Sequence, residues 1–280
     1  MYKLNITPGK APCIVHVSTV QHFAEDVLIT AFSWHPDGST VGMSLSSGDV
    51  CLGKSTNITS DTTPRNVVAL THDLEAWTLA FLPDGSGVLS GGDDGALRFT
   101  ELPRDPVDAL SGSIMEPDYP SSRRTPWADK KIHGAGVTAI FPIHCDEAGL
   151  LIVTGSYDDH IRLIYAPLVG RRQVLSELNL GGGVWRLKVL DRKPASQELP
   201  GRFELEPKEL LLLVSCMHAG ARIVKLSCSD PTWNFEVLAK FEEHKSMNYG
   251  SDSQPQVNDR GQRTYISTSF YDRLLCLWRY

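Results

Sequence analysis

The chain has no apolar run long enough to cross a bilayer, so no spanning helix is expected. Its six cysteines, Cys13, Cys51, Cys145, Cys216, Cys228 and Cys276, include no Cys-x-x-Cys pair. That spacing argues against a zinc ribbon or a disulfide framework and for reduced, mostly buried thiols. There is no His-Glu-x-x-His for a catalytic zinc, and no Gly-x-Ser-x-Gly elbow of the kind an α/β hydrolase uses to present its serine. An excess of basic residues is missing too. The formal net charge of −6 over 280 residues argues against nonspecific nucleic-acid binding, and the pairs Arg123-Arg124 and Arg171-Arg172 read as solvated loop positions. The first residues carry neither a signal-peptide apolar core nor an Arg-rich presequence, which leaves a cytoplasmic address as the expectation.

What is present is a repeat. Leu151 to Tyr165, LIVTGSYDDHIRLIY, is an apolar strand, a Gly-Ser step, a turn with Asp158-Asp159, and a second alternating strand. VLSGGDDGALRFTE from Val88 repeats it, as does YISTSFYDRLLCLWR from Tyr265. Asp94, Asp158 and Asp272 fall on one equivalent turn position, and the same frame puts Ser47 and His218 there in two further copies. Upstream of each copy lies another strand, in three of the five opened by a histidine: His72, His133 and His244. Self-similarity at roughly 40 to 50 residues is the signature of an all-β, WD40-type β-propeller.

The expected division is a single propeller domain over 1–280, with 1–26 as the remnant of a preceding blade and blades at 27–71, 72–132, 133–179, 180–243 and 244–280. Segments 103–131, 191–208 and 251–262, rich in Pro, Ser, Asp and Arg or Gln, read as loop insertions. A propeller avoids open strand edges by closing its ring, so five recognisable blades lead to the expectation that one or two N-terminal blades are absent.

Several stretches discriminate more finely. Glu75-Ala76-Trp77-Thr78-Leu79-Ala80-Phe81, Gly182-Gly183-Val184-Trp185-Arg186-Leu187-Lys188, Cys216-Met217-His218-Ala219-Gly220 and the closing Leu277-Trp278 together resemble the diphthine methyl ester hydrolase family, the WD-repeat proteins of diphthamide biosynthesis. The resemblance covers most of the chain from Val27 onward. The pattern departs at Ser251-Asp252-Ser253, and at Thr100 and Ile164, where blade-ending tryptophans are expected. The resemblance implies removal of the methyl ester from methylated diphthine on translation elongation factor 2. That factor is the implied partner, with other diphthamide-pathway proteins beside it; no cofactor, nucleic acid or membrane is implied.

An ester hydrolase needs an attacking oxygen, a base, and donors where the carbonyl oxygen becomes negative. With no serine elbow, a water activated by a histidine is the favoured nucleophile, and Ser156, Ser269 and Tyr271 have no base nearby in sequence. His218 is the candidate base, Arg186 the oxyanion or carboxylate donor, and Asp158 the residue that orients the histidine. Trp185, Trp77, Tyr249, His244 and Asp272 are the candidate substrate-binding residues around one mouth of the central channel, the indoles attracting a quaternary ammonium through cation–π contacts worth about 0.5–2 kcal/mol. The competing reading of the same residues is structural: turn aspartates accept backbone N–H bonds, strand-opening histidines bond within their blade, and the tryptophans fill space between blades. A noncatalytic scaffold or substrate receptor is the competing function, since a propeller fold implies no chemistry.

Overall fold

The computed structural model describes residues 2–9, 11–16, 19, 21–54, 66–112, 124–193, 208–229 and 232–280. A solvent-exposed hairpin, β1 (Tyr2–Asn5) and β2 (Cys13–His16), precedes the rest. Four antiparallel four-stranded sheets follow in chain order. The first is β3 (Ile29–Trp34), β4 (Thr40–Leu45), β5 (Asp49–Lys54) and β6 (Asn66–Thr71). The second is β7 (Ala76–Phe81), β8 (Gly87–Gly92), β9 (Leu97–Glu101) and, after the short helix α1 (Pro106–Leu110), β10 (Trp127–Asp129). The third is β11 (Val137–Cys145), β12 (Gly149–Ser156), β13 (His160–Pro167) and β14 (Gln173–Asn179). The fourth is β15 (Arg186–Lys193), β16 (Glu209–Ser215), β17 (Ala221–Ser229) and β18 (Thr232–Phe241). A last, three-stranded sheet holds β19 (Asn248–Val257), β20 (Arg263–Ser269) and β21 (Leu275–Arg279). The architecture is the expected all-β, WD40-type propeller, and no described helix is long and apolar enough to cross a membrane.

Each of the four-stranded sheets is a meander, and in the second and third of them the second strand is sandwiched between neighbours and packed on both faces. That position tolerates no polar side, so β8 and β12 are buried along their whole length and read as continuous small or apolar runs rather than alternating ones. Neighbouring sheets share their cores. Leu82, Leu89 and Phe99 meet Val137 and Ile152 between the second and third sheets, and Leu151, Val153 and Val184 meet Leu212 and Val214 between the third and fourth. The close approach depends on two glycines. A Cβ at Gly91 would lie 2.6 Å from the Val137 side chain, and one at Gly155 would lie 2.2 Å from that of Val184. Polar ties reinforce the stacking: the Thr30 hydroxyl donates to the Ala76 carbonyl and that of Thr138 to the Val184 carbonyl, each bridging adjacent sheets.

The sheets make an arc in which the inner strands β3, β7, β11, β15 and β19 touch in succession. Its two flanks stay apolar and exposed: Ile29, Phe32 and Trp34 on β3, and Leu275 and Leu277 on β21.

Several local expectations change. Strand β19 runs on through Val257, so most of 251–262 is strand with a tight turn at its end, held by the Asn258 side chain accepting from the N–H groups of Arg260 and Gln262. Segment 103–131 contains α1 as well as the outer strand β10; its centre lies outside the described residues. Arg124 is buried, its guanidinium donating to Ser86 Oγ at 3.2 Å and to the Asp146 carbonyl at 2.8 Å, because it plugs the junction of two sheets. Arg172 stacks over Trp127 at 4.4 Å. Of the six free cysteines only Cys51 and Cys216 are fully buried, and Cys13 is exposed on the hairpin.

Candidate functional site

The repeat supplies two positions per sheet that lie at the same end of the arc of inner strands. One lies at the start of the inner strand and is occupied by Thr30, Trp77, Thr138, Trp185 and Tyr249 in turn. The other opens the turn after the second strand. Backbone bonds fix that equivalence: Asp93 N to the Glu75 carbonyl at 2.8 Å, Tyr157 N to Gly136 at 2.9 Å, and Phe270 N to Met247 at 3.1 Å. Met217 holds the corresponding place in the fourth sheet, pairing with Asn248.

These positions assemble an aromatic cluster. Trp77, Tyr157 and Trp185 are mutual neighbours, with centroids 6.2 Å apart for Trp77 and Tyr157 and 5.7 Å for the other two pairs. Tyr249 adds itself at 5.1 Å from Trp185, and Phe270 at 6.0 Å from Tyr249. Glycines make room for the central ring: a Cβ at Gly136 would meet Tyr157 Cδ2 and Asp93 Oδ1, each at 2.9 Å, and one at Gly183 would meet Met217 Sδ at 2.7 Å and Tyr157 Cδ1 at 3.3 Å.

Two charges flank the rings. The Trp77 indole N–H donates to Asp93 Oδ1 at 3.1 Å, and Asp93 is exposed. On the other side the Arg186 guanidinium lies 4.8 Å from the centre of the Trp185 ring and donates to the Trp185 carbonyl at 2.9 Å and the Thr138 carbonyl at 3.4 Å. Burial draws the Arg186 pKa down, yet a guanidinium starts so high that it stays charged. Burial, then Tyr249 and Asp93, push the Tyr157 phenol up to about 12, so it is a neutral hydroxyl here.

Of the residues singled out in the sequence, Trp77, Trp185, Tyr249 and Arg186 therefore come together at one mouth. His218 does not join them. Consecutive residues of the turn point to opposite sides, so Met217, at a left-handed φ of 42°, faces the mouth. His218 faces a separate cleft of about 520 Å³ lined by Asn179, Arg222, Lys240 and Glu242. It is exposed there, beside the pair Arg222–Glu242 at 2.6 Å.

The equivalent aspartates are engaged in their turns. Asp158 accepts from Gly134 N at 2.7 Å, His160 N at 3.1 Å and Arg162 Nη1 at 2.8 Å. Asp272 accepts from Lys245 N at 3.0 Å and from the Ser269 hydroxyl. His244 is buried inside the last sheet, its Nε2 2.8 Å from Ser267 Oγ and its ring against Phe241, and it does not reach the mouth. Burial pushes the Cys216 and Cys145 thiols up to about 12 and that of Cys51 to about 11, so all three stay protonated.

Sequence reasoning passed over Asp93, Tyr157 and Met217. The available signal was their common place one residue before the turn position that Asp94, Asp158 and His218 occupy, which the alternation of a strand turn sends to the opposite side.

Fold and site thus define a WD40-type propeller with an aromatic channel mouth, and the G-beta repeat family, "WD domain, G-beta repeat", matches residues 66–100. The chain resembles the Schizosaccharomyces pombe protein named diphthine methyltransferase, with 28% identity over 253 residues, 90% of this chain and 64% of that protein. It resembles the Saccharomyces cerevisiae diphthine methyltransferase at 30% identity, over 74% of this chain and 49% of that protein, and a Dictyostelium discoideum homologue at 29%, over 93% and 65%. The chain therefore spans less than two thirds of the length of these relatives. A chain in a crystal structure of the mitotic checkpoint complex superposes with a TM-score of 0.51 over 96% of this chain and 78% of that one, at 16% identity, a likeness of fold alone.

Proposed function

We propose that this chain acts in diphthamide biosynthesis as a carboxylic ester hydrolase, removing the methyl ester from methylated diphthine on translation elongation factor 2. The observation that carries the reading is the convergence of Trp77, Trp185 and Tyr249 with Arg186 at one channel mouth. Similarity to proteins named diphthine methyltransferase, whose name also concerns a methyl group and diphthine, supports it.

In this reading the indole faces hold the quaternary ammonium by cation–π attraction. Arg186 aims its guanidinium at the ester carbonyl, where negative charge develops as water attacks. Its stacking on Trp185 fixes the group before substrate arrives, so little reorganisation is needed at the moment of reaction. Water supplies the oxygen that ends on the carboxylate, and methanol leaves with a proton. His218 is the proposed base: it is exposed, on the cleft side of the Cys216–Met217–His218 turn and across that turn from the rings, whereas His72, His133 and His244 are buried and bonded within their sheets. For His218 to serve, the ester must lie over the Cys216–Met217–His218 turn while the ammonium occupies the rings.

The test is intact-mass analysis of elongation factor carrying methylated diphthine, incubated with wild type and His218→Ala, with and without S-adenosylmethionine. Loss of the methyl group in wild type alone, with no methyl donor, supports the hydrolase and its base. Equal loss in both moves the base elsewhere. No loss with retained binding favours the scaffold, and a mass gain that needs the donor makes the chain a methyltransferase.

A further inference from the structure

Asp93 and Arg186 are opposite charges at one mouth that do not pair with each other. Among the described residues neither has an ion-pair partner within 4 Å. Trp77 and Trp185, in contact at 5.7 Å, stand between them, with the carboxylate held by the Trp77 indole N–H and the guanidinium stacked on the Trp185 ring. Tyr157 closes the third side, touching both rings and facing Asp93 across Gly136. An aromatic wall with an anion at one end and a cation at the other is complementary to a ligand with the reverse order of charges.

We propose that Asp93 is a specificity-determining residue, and that Asp93, the Trp77–Tyr157–Trp185 wall and Arg186 form a dipolar site for betaine-type groups, in which a quaternary ammonium and a carboxyl lie close together. Asp93 neutralises the ammonium, which the ring faces hold but cannot neutralise. Arg186 takes the carboxyl end, where a planar guanidinium suits a carboxylate. This rests on the proposed hydrolase reading and deepens it. The ester form has its ammonium matched but offers Arg186 only a carbonyl, whereas the free acid matches both charges, so the site holds product more tightly than substrate and product release limits turnover.

Three small probes separate the terms when titrated against intrinsic tryptophan fluorescence: tetramethylammonium, glycine betaine and glycine betaine methyl ester. Wild type is expected to bind all three saturably, with glycine betaine tightest. Asp93→Asn, at an exposed position, is expected to weaken all three by about tenfold. Arg186→Gln is expected to weaken glycine betaine by a similar factor and spare tetramethylammonium; Arg186→Lys, which keeps the charge, and a circular-dichroism melt of each variant guard against loss of the fold. Absence of a saturable response in wild type, or equal losses for all probes in both charge variants, overturns the proposal. Probe binding without ester loss from the elongation factor leaves this site standing and removes the hydrolase reading; ester loss without probe binding does the reverse.

Discussion

His72 Nδ1 lies 2.9 Å from Asp94 Oδ1, and its other ring nitrogen lies 2.6 Å from Ser90 Oγ. Serine, histidine and aspartate in that order have the connectivity of a hydrolytic triad, yet the His72 side chain and Ser90 are wholly buried, so no substrate reaches them. Burial keeps His72 neutral, its Nδ1–H donating to Asp94 while the Ser90 hydroxyl donates to Nε2. Ser90→Ala, which leaves a buried ring nitrogen without a partner, is expected to lower stability by about 1–3 kcal/mol. Denaturant titration measures the loss, and turnover per folded molecule should not change; a selective loss of turnover would make the trio catalytic.

Acid should act in two stages. Burial, helped by Arg162, pushes His133 down to about 4 from 6.5, so an unfolded chain takes up a proton in this interval that the folded chain refuses. Stability from this group is intact above 6.5 and is lost as the pH falls toward 4. Burial alone would raise the carboxyls of Asp94 and Asp158, but the hydrogen bonds from His72 and the Asp73 and Ala96 N–H groups to the first, and from Arg162 and the Gly134 and His160 N–H groups to the second, together outweigh it and hold both at about 2. Their contribution is present above 3.8 and disappears as the pH falls toward 2. Melting temperature followed against pH should show both declines, and His133→Gln should flatten the first while leaving the second.

Trp185→Ala should weaken binding of the trimethylammonium-bearing elongation factor by about 0.5–2 kcal/mol, the scale of a cation–π contact. The ring is only half-buried, so its melting temperature should fall less than that of a core truncation. Equal thermal loss with unchanged affinity would make Trp185 a packing residue.

Gly155→Ala places a methyl group 2.2 Å from Val184 Cγ1, where backbone must shift. The expected cost is about 1–3 kcal/mol, typical of overpacking. Calorimetry of this variant beside Val184→Ala and the double substitution checks the cause: the smaller valine replacement should return part of the lost stability.

Phe32 is 69% exposed and Leu277 70%, on opposite flanks of the arc. Apolar patches of this kind bind hydrophobic dyes and promote association. Bound dye fluorescence and sedimentation should both fall in Phe32→Glu combined with Leu277→Glu; unchanged values would mean that the flanks are covered in solution.

The repeat made most of the fold legible, because period-2 apolar strands punctuated by Gly-Asp turns recur often enough to be aligned with themselves. The rest was hidden for local reasons. Polar residues in Ser251-Asp252-Ser253 read as loop, although backbone pairing with β20 carries them as strand, since an exposed strand can be polar on both sides. At the site, the two tryptophans, Tyr249 and Arg186 were legible because they stand in unusual motifs on inner strands. His218 drew attention as the exception among aspartates, but a turn that alternates sides gives the mouth to its neighbour Met217. Asp93 was obscured by Asp94, whose role in the ladder is the commoner one.

Gly91 and Gly155 carry no side chain, yet they set how near the second strand of one sheet sits to the start of the next sheet's inner strand. Because Trp77, Tyr157 and Trp185 come from three different sheets, the aperture between their rings is gauged by those two bare α-carbons deep in the stack. In the proposed reading the selectivity of the mouth is thus a dimension of the scaffold, and a single methyl group added between sheets would be felt at the surface as a change in which cation fits.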